Sequence, residues 1–383
     1  MNQTYQSKEQ PLPPEVTQRW QGLRPVRKFP PVPGPAPRLL VRTPNWVGDA
    51  IMSLPVLSGL MRLFPQAEIT VLAARRVSPL FLGLPGVAEV IPYPAALEKW
   101  RVLWGLRGRF QLAVTLANSL ESALGLCLLR APVRLGYTAD ARGPLLKPAV
   151  SGRRRLGGLH MVFYYLGLLK TLGEVDSFTP PALYLREEET AAAAKLLAAT
   201  GSGSGPWVGL SPGAAYGPAK RWPPERFAAV GRELAWEFGA RLVLLGGPGE
   251  ARVANQVKAQ LDLPVLDLTG KTDLRQALAV LSQLNLLVTN DSGLMHAAAA
   301  LGVPLVAVFG STDPAATGPF TPQATVLRQP LPCSPCRRRT CSLGYPCLTA
   351  ISVEEVLSAA RPWLTEAVSS RGDPLGRPVS SKQ

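Results

Sequence analysis

Short apolar runs alternate with longer amphipathic stretches along most of the chain. Residues 39–42, 68–72, 87–91 and 112–115 have the length and branched or aliphatic content of strands. Residues 49–64 carry helical spacing, with Pro55 inside as an expected kink, because proline removes a backbone donor. After a break at 177–206, the pattern restarts with strands expected at 207–210, 241–245, 265–268, 286–289 and 305–309, and helices between them. Such alternation implies βαβ units and parallel sheets. A last helix is expected at 353–364, packed back on one half. The resulting expectation is an α/β chain of two Rossmann-like, doubly wound domains facing a central cleft. Their bounds are 38–180 and 207–350, joined by a linker region at 181–206 that holds Pro180-Pro181 at its edge, an Ala-rich helix and Gly201-Ser-Gly-Ser-Gly205. A helix at 351–368 closes the chain. Residues 1–37, rich in proline and poor in apolar periodicity, read as a disordered arm, and 369–383 as a disordered tail.

Doubly wound sheets bind ligands beyond the C-terminal ends of their strands. Four polar segments fall there. Arg42-Thr-Pro-Asn-Trp-Val-Gly-Asp49 follows the first strand and puts an acid at a helix start, as an N-terminal cap or as a general base. Ser211-Pro-Gly-Ala-Ala-Tyr-Gly-Pro-Ala-Lys-Arg-Trp222 offers small residues for close backbone approach, and Lys220 with Arg221 to neutralise phosphate. Gly246-Gly-Pro-Gly-Glu250 is either a tight strand–helix turn or a ribose-binding loop with one carboxylate. Thr289-Asn-Asp-Ser-Gly-Leu-Met-His296 places Asp291, Ser292 and Gly293 where a helix begins. Exposed N–H groups and the helix dipole suit an anion there. The spacings match neither a P-loop nor the dinucleotide G-x-G-x-x-G pattern.

Charge and cysteine content narrow the picture. The 383 residues hold 41 basic and 26 acidic side chains, a net +15, which attracts anions without choosing among them. No basic tail or aromatic-interleaved basic motif is present, so nucleic acid is not the expected partner. A basic nucleic-acid-binding protein with a Cys-rich finger is the distant alternative. No apolar run reaches bilayer length and the start is polar, so a cytoplasmic protein is expected. Cys333, Cys336, Cys341 and Cys347 cluster in a fashion that admits a structural zinc or iron site, packed reduced thiols or a disulfide. With only His160 and His296 in the chain, a His-rich metal site is not expected.

Taken together, Asn45-Trp-Val-Gly-Asp49, the Pro212–Pro223 segment and the Thr289–Leu301 segment resemble the family 9 glycosyltransferases, the bacterial heptosyltransferases of lipopolysaccharide core synthesis. The resemblance spans residues 38 to 365. It implies the GT-B fold, and inverting, metal-independent transfer of heptose from ADP-heptose to the first heptose of the inner core on Kdo-lipid A. Another family 9 transferase of core or O-antigen synthesis is the alternative. By the same resemblance, Asp49 is the general base and Lys220 meets the donor diphosphate and sugar. Glu250 holds the ribose, Thr272 the adenine, and Asp291, Ser292 and Gly293, with His296 nearby, the diphosphate and sugar. The acceptor is an anionic glycolipid at the cytoplasmic face of the inner membrane, which makes the protein peripheral there. Arg75, Arg76, Lys99, Arg101, Arg134, Arg142 and Arg153 to Arg155 are the candidate acceptor contacts. Residues 100–104 read as packed core, with an interfacial apolar patch as the alternative.

Overall fold

The structure, a computed structural model, describes residues 8–26, 30–94, 98–138, 141–151, 156–200 and 203–369. It comprises two compact units. Unit 1 is Met1–Arg186 with Ala315–Phe320, and unit 2 is Glu187–Pro314 with Thr321–Gln383.

Unit 1 holds strands β1 (Gln10–Pro11), β2 (Arg24–Pro25), β3 (Arg38–Arg42), β4 (Glu68–Ala74), β5 (Val87–Tyr93), β6 (Leu112–Thr115), β7 (Val133–Tyr137), β8 (Ala149–Ser151) and β9 (Ser177–Phe178). Its main sheet runs β2-β8-β7-β6-β3-β4-β5. The ladders from β8 to β5 are parallel, and β2 adds an antiparallel edge. Leu39, Leu40 and Val41 of β3 are fully buried, as are Leu112, Ala113 and Val114 of β6. Unbroken apolar strands of this kind have both faces covered, which is the condition of a parallel sheet.

Unit 2 holds β10 (Trp207–Ser211), β11 (Arg241–Leu244), β12 (Val265–Asp267), β13 (Leu286–Asn290), β14 (Leu305–Phe309) and β15 (Ala324–Arg328), in the order β12-β11-β10-β13-β14-β15, all parallel. In each unit the chain winds outward one way, returns to the centre and winds outward the other way. The reversal lies between β3 and β6 in unit 1 and between β10 and β13 in unit 2. The helix Val353–Ser369 packs on unit 2, burying Val356, Leu357, Ala360 and Leu364 beside Phe227, Val230 and Leu234. Among the described residues no helix is long and apolar enough to cross a membrane.

Four expectations are corrected. Residues 8–26 are not a disordered arm. A helix at Pro14–Trp20 buries Val16 and Trp20, β1 pairs with β9, and β2 pairs with β8. Leu12, Val16, Trp20 and Leu23, all buried, form an i, i+4 stripe that the proline content conceals. Pro14 occupies the first helical position, where its missing N–H costs nothing. The 181–206 segment is not a linker throughout. Its helix Glu187–Ala198 belongs to unit 2, where Glu189 accepts from Arg275 Nε at 2.8 Å. Pro55 does not kink one helix: Val47–Met52 ends before it, and Pro55 opens a second helix ending at Leu63. Strands β7, β8 and β15 were not expected. Arg134 and Gly136 interrupt the apolar run of β7, β8 is only three residues long, and β15 is a half-buried edge. The expected tail beyond Ser369, and Arg153 to Arg155, lie outside the described residues.

Candidate active site

In unit 2 the polar segments gather at the C-terminal edge of the sheet, and one buried side chain ties two of them. Asn290, at the end of β13, is fully buried. Its Oδ1 accepts the Trp222 N–H at 2.9 Å, and its Nδ2 donates to Pro212 O at 2.8 Å. The loop after β10 is thereby fixed against the turn that carries Asp291. Asp291, 4% exposed, receives Lys220 Nζ at 2.5 Å and the Thr312 hydroxyl at 2.5 Å on the same oxygen, Oδ2. Thr312 comes from the loop after β14, so three loops meet on one carboxylate. Ser292 caps the helix Gly293–Leu301, its Oγ accepting the Met295 N–H at 3.5 Å. The other first-turn N–H groups have no intrahelical acceptor and present the positive end of the helix dipole. His296 is buried in the first turn of that helix.

Glu250 sits beside this group. Its Oε2 accepts the Gly247 N–H at 2.8 Å. A Cβ at Gly213 or Gly246 would lie within 2.3 Å or 2.9 Å of the Glu250 side chain, so both glycines exist to admit it. Burial raises the Glu250 carboxyl above its ordinary value, while the Gly247 N–H and the Arg221 charge pull the other way and do not cancel the rise. Thr272 lies just before Asp273, the N-cap of the helix Leu274–Leu281, in the loop after β12. The hydroxyls of Thr269 and Ser311, at the ends of β12 and β14, are buried and have no protein partner among the described residues. A neighbouring pocket of about 360 Å³ is lined by Arg221, Gly249, Arg252 and Tyr345 among others, but by none of Lys220, Asp291, Ser292 and Glu250.

In unit 1 Asp49 lies in the first turn of the helix Val47–Met52, and the buried Tyr165 hydroxyl donates to its Oδ1 at 3.1 Å. Nearby, Asn45 Oδ1 accepts from Tyr93 at 2.7 Å and Asn45 O from Arg76 Nε at 2.9 Å. Below β3's end, Arg42 pairs with Glu121 at 2.7 Å and Lys99 joins at 3.2 Å. Burial pushes the Glu121 carboxyl up, but Arg42 and Lys99 together hold it below its ordinary value.

The acceptor candidates separate under this geometry. Arg142 is fully buried, with its guanidinium donating to Tyr137 O, Ala117 O and Asn118 Oδ1. These bonds make it an internal tie, which corrects its expected contact with an acceptor. Arg134 donates to Leu145 O and Ala131 O, and Lys99 is held by Glu121. Arg75 and Arg101 are exposed. Within residues 100–104, Leu103 is buried and Trp100 and Val102 pack on the core, but Trp104 is 61% exposed under the Arg107 guanidinium.

The cysteine segment does not support a metal. Among the described residues no group of three or more His, Cys, Asp or Glu side chains is arranged to hold one. All five cysteines are free; Cys333 and Cys336 are exposed and Cys347 is buried. Burial, with the nearby Cys333, Cys336 and Cys341, pushes the Cys347 thiol up. The segment's backbone instead meets the Lys220 loop: Ala219 N–H donates to Arg339 O at 3.1 Å, and the Tyr216 hydroxyl to Arg337 O at 2.6 Å.

The model for glycosyltransferase family 9 (heptosyltransferase) matches residues 100–345. The chain is 34% identical over 346 residues to lipopolysaccharide heptosyltransferase 2 of Salmonella typhimurium, covering 86% of this chain and 99% of that protein. It is 34% identical to the lipopolysaccharide heptosyltransferase 2 of Escherichia coli, over 76% of this chain and 88% of that one. The solved structure of E. coli ADP-heptose lps heptosyltransferase II superimposes with a TM-score of 0.75 at 30% identity, covering 86% of this chain and 99% of that one. On these matches, and with two doubly wound units carrying the strand-end motifs, the chain belongs to glycosyltransferase family 9, the heptosyltransferases, and has the GT-B fold.

Proposed function

We propose that this enzyme transfers heptose from ADP-heptose to the heptose already present on the lipopolysaccharide inner core. The observation that carries the reading is the Lys220–Asp291–Thr312 group beside the Ser292 helix start. It is a compact anion-receiving site at the strand ends of a chain that covers 99% of a lipopolysaccharide heptosyltransferase 2.

In this reading unit 2 holds the donor. Lys220 and the first-turn N–H groups after Ser292 receive the diphosphate, and Glu250 accepts from the ribose hydroxyls. Thr272 lies by the adenine, and His296, buried in the first turn of the helix, lies near the diphosphate and sugar. The acceptor hydroxyl attacks the anomeric carbon as the bond from that carbon to the ADP oxygen breaks, with inversion. Its proton passes to Asp49 Oδ2 or Oδ1, and ADP leaves as the anion that Lys220 and the helix dipole stabilise. Charge stabilisation of the departing diphosphate by fixed donors is the largest expected contribution. Protein cations and dipoles supply it without a divalent metal. Arg75 and Arg101, exposed members of the acceptor set, meet phosphate or carboxylate groups of the glycolipid core in this reading, with the enzyme working peripherally at the cytoplasmic face of the inner membrane.

The test is ADP release from ADP-heptose with heptosyl-Kdo2-lipid A as acceptor and chelator present. Acceptor-dependent release is expected. Donor binding without release would move the acceptor assignment, and no donor binding would remove the site reading altogether.

A further inference from the structure

The site as described leaves a charge unexplained. Lys220 is held at 2.5 Å from Asp291, so its positive charge is already matched by a carboxylate. A nucleotide diphosphate carries more than one negative charge and is bound where unmatched cations or donors meet it. The cation next to Lys220 comes from the cysteine segment. Lys220 Nζ lies 4.9 Å from the centroid of the Tyr216 ring, and Arg339 Cζ lies 5.3 Å from the same centroid. One aromatic plate therefore carries both cations. Arg339 is exposed, and among the described residues no carboxylate pairs with it.

The placement is enforced by backbone. The Ala219 N–H donates to Arg339 O at 3.1 Å, one residue before Lys220. The Tyr216 hydroxyl donates to Arg337 O at 2.6 Å. Gly217 has φ +149, and a Cβ there would stand 2.7 Å from Arg339 O, so only glycine lets the two strands of this contact approach. These ties hold residues far apart in sequence in one fixed arrangement, which suits a preorganised ligand site. The cysteine segment, left without a role by the metal reading, thus has one as the carrier of this cation.

We propose that Arg339 binds the donor diphosphate alongside Lys220, with Tyr216 as the plate that spaces the two cations. This rests on the reading of the Lys220 loop as the diphosphate site. Arg338, exposed on the same segment but without a ring or loop contact among the described residues, serves as the control.

The experiment compares ADP and adenosine binding, by calorimetry and by competition, in Arg339→Gln, Arg338→Gln and Lys220→Ala enzymes. Arg339→Gln is expected to weaken ADP by about tenfold or more, the scale of a contact to a charged group. It is expected to leave adenosine unchanged and to flatten the salt dependence of ADP binding, while Arg338→Gln behaves as wild type. A parallel loss of ADP and adenosine affinity in Arg339→Gln would mean that it only shapes the loop, and overturns the proposal. Wild-type ADP binding by Arg339→Gln, with loss in Lys220→Ala, overturns it and leaves the Lys220 assignment standing. Wild-type binding by both removes the diphosphate reading of the loop as well.

Discussion

At the scale of single residues, the proposed chemistry depends on side chains whose partners are far away in sequence. Asp49 is oriented by Tyr165, whose hydroxyl donates to its Oδ1. Asp49→Asn should lower kcat by roughly 100-fold or more with donor KM little changed, the size expected of a lost general base. Near-wild-type turnover in a folded variant would refute the assignment. Tyr165→Phe should cost less and act on kcat, since it removes the orienting bond and not the base. Glu250 offers a pH test. Burial raises its carboxyl, so it takes up a proton at a higher pH than an ordinary glutamate. Donor affinity should therefore decline on the acid side from above the usual carboxylate range, and the Glu250→Gln enzyme should lack that decline; an unaltered pH profile in the variant would exclude a ribose role. The strand–helix junctions that carry Asp49, Lys220, Glu250 and Asp291 were legible in the sequence, because periodicity exposes them. Thr312, Tyr216 and the Asn290 clamp were not, since their importance arises from contacts between loops. Arg142 shows the converse failure: a sequence displays its charge and hides its burial.

Elements were read best where packing leaves a one-dimensional trace. β6 and β14 carry unbroken apolar runs, and their observed bounds match those expected from the sequence. The helix Pro14–Trp20 escaped because composition around it is proline-rich, although its i, i+4 stripe is intact. Its contribution can be measured. Trp20 is 1% exposed, and Trp20→Ala should destabilise unit 1 by about 3–5 kcal/mol, the range for emptying a large aromatic site. An unchanged denaturation midpoint would return residues 8–26 to the status of an ornament. The N-cap of the helix Met161–Leu166 repeats the theme. His160 Nδ1 accepts the Val162 N–H and its Nε2 donates to Gly318 O at 3.0 Å, so the ring is a neutral tautomer. Burial depresses its protonation, outweighing Gly318 O. The stability it contributes is present above the ordinary histidine value and lost as pH falls below it.

For the whole molecule, the surplus of 41 basic over 26 acidic residues is a property no single motif accounts for. Attraction to an anionic surface follows from it at low ionic strength and fades as salt shortens the screening length. Sedimentation with vesicles containing anionic lipid should fall steeply between low and high salt, and neutral vesicles should retain little protein. Equal retention on both would argue that charge does not bring the enzyme to its acceptor. The two-unit plan was visible in the restart of the strand pattern near residue 207. The exact division was not, because Ala315–Phe320 belongs to unit 1 by packing and to unit 2 by sequence neighbourhood.

That short return has a consequence for synthesis. Phe320 packs against His160, Phe163 and Phe178, at ring separations of 5.0, 5.7 and 5.7 Å. The first unit to leave the ribosome must therefore wait, with this aromatic cluster incomplete, until the five strands β10 to β14 have been translated. Birth order and folding order diverge: the half made first is finished late.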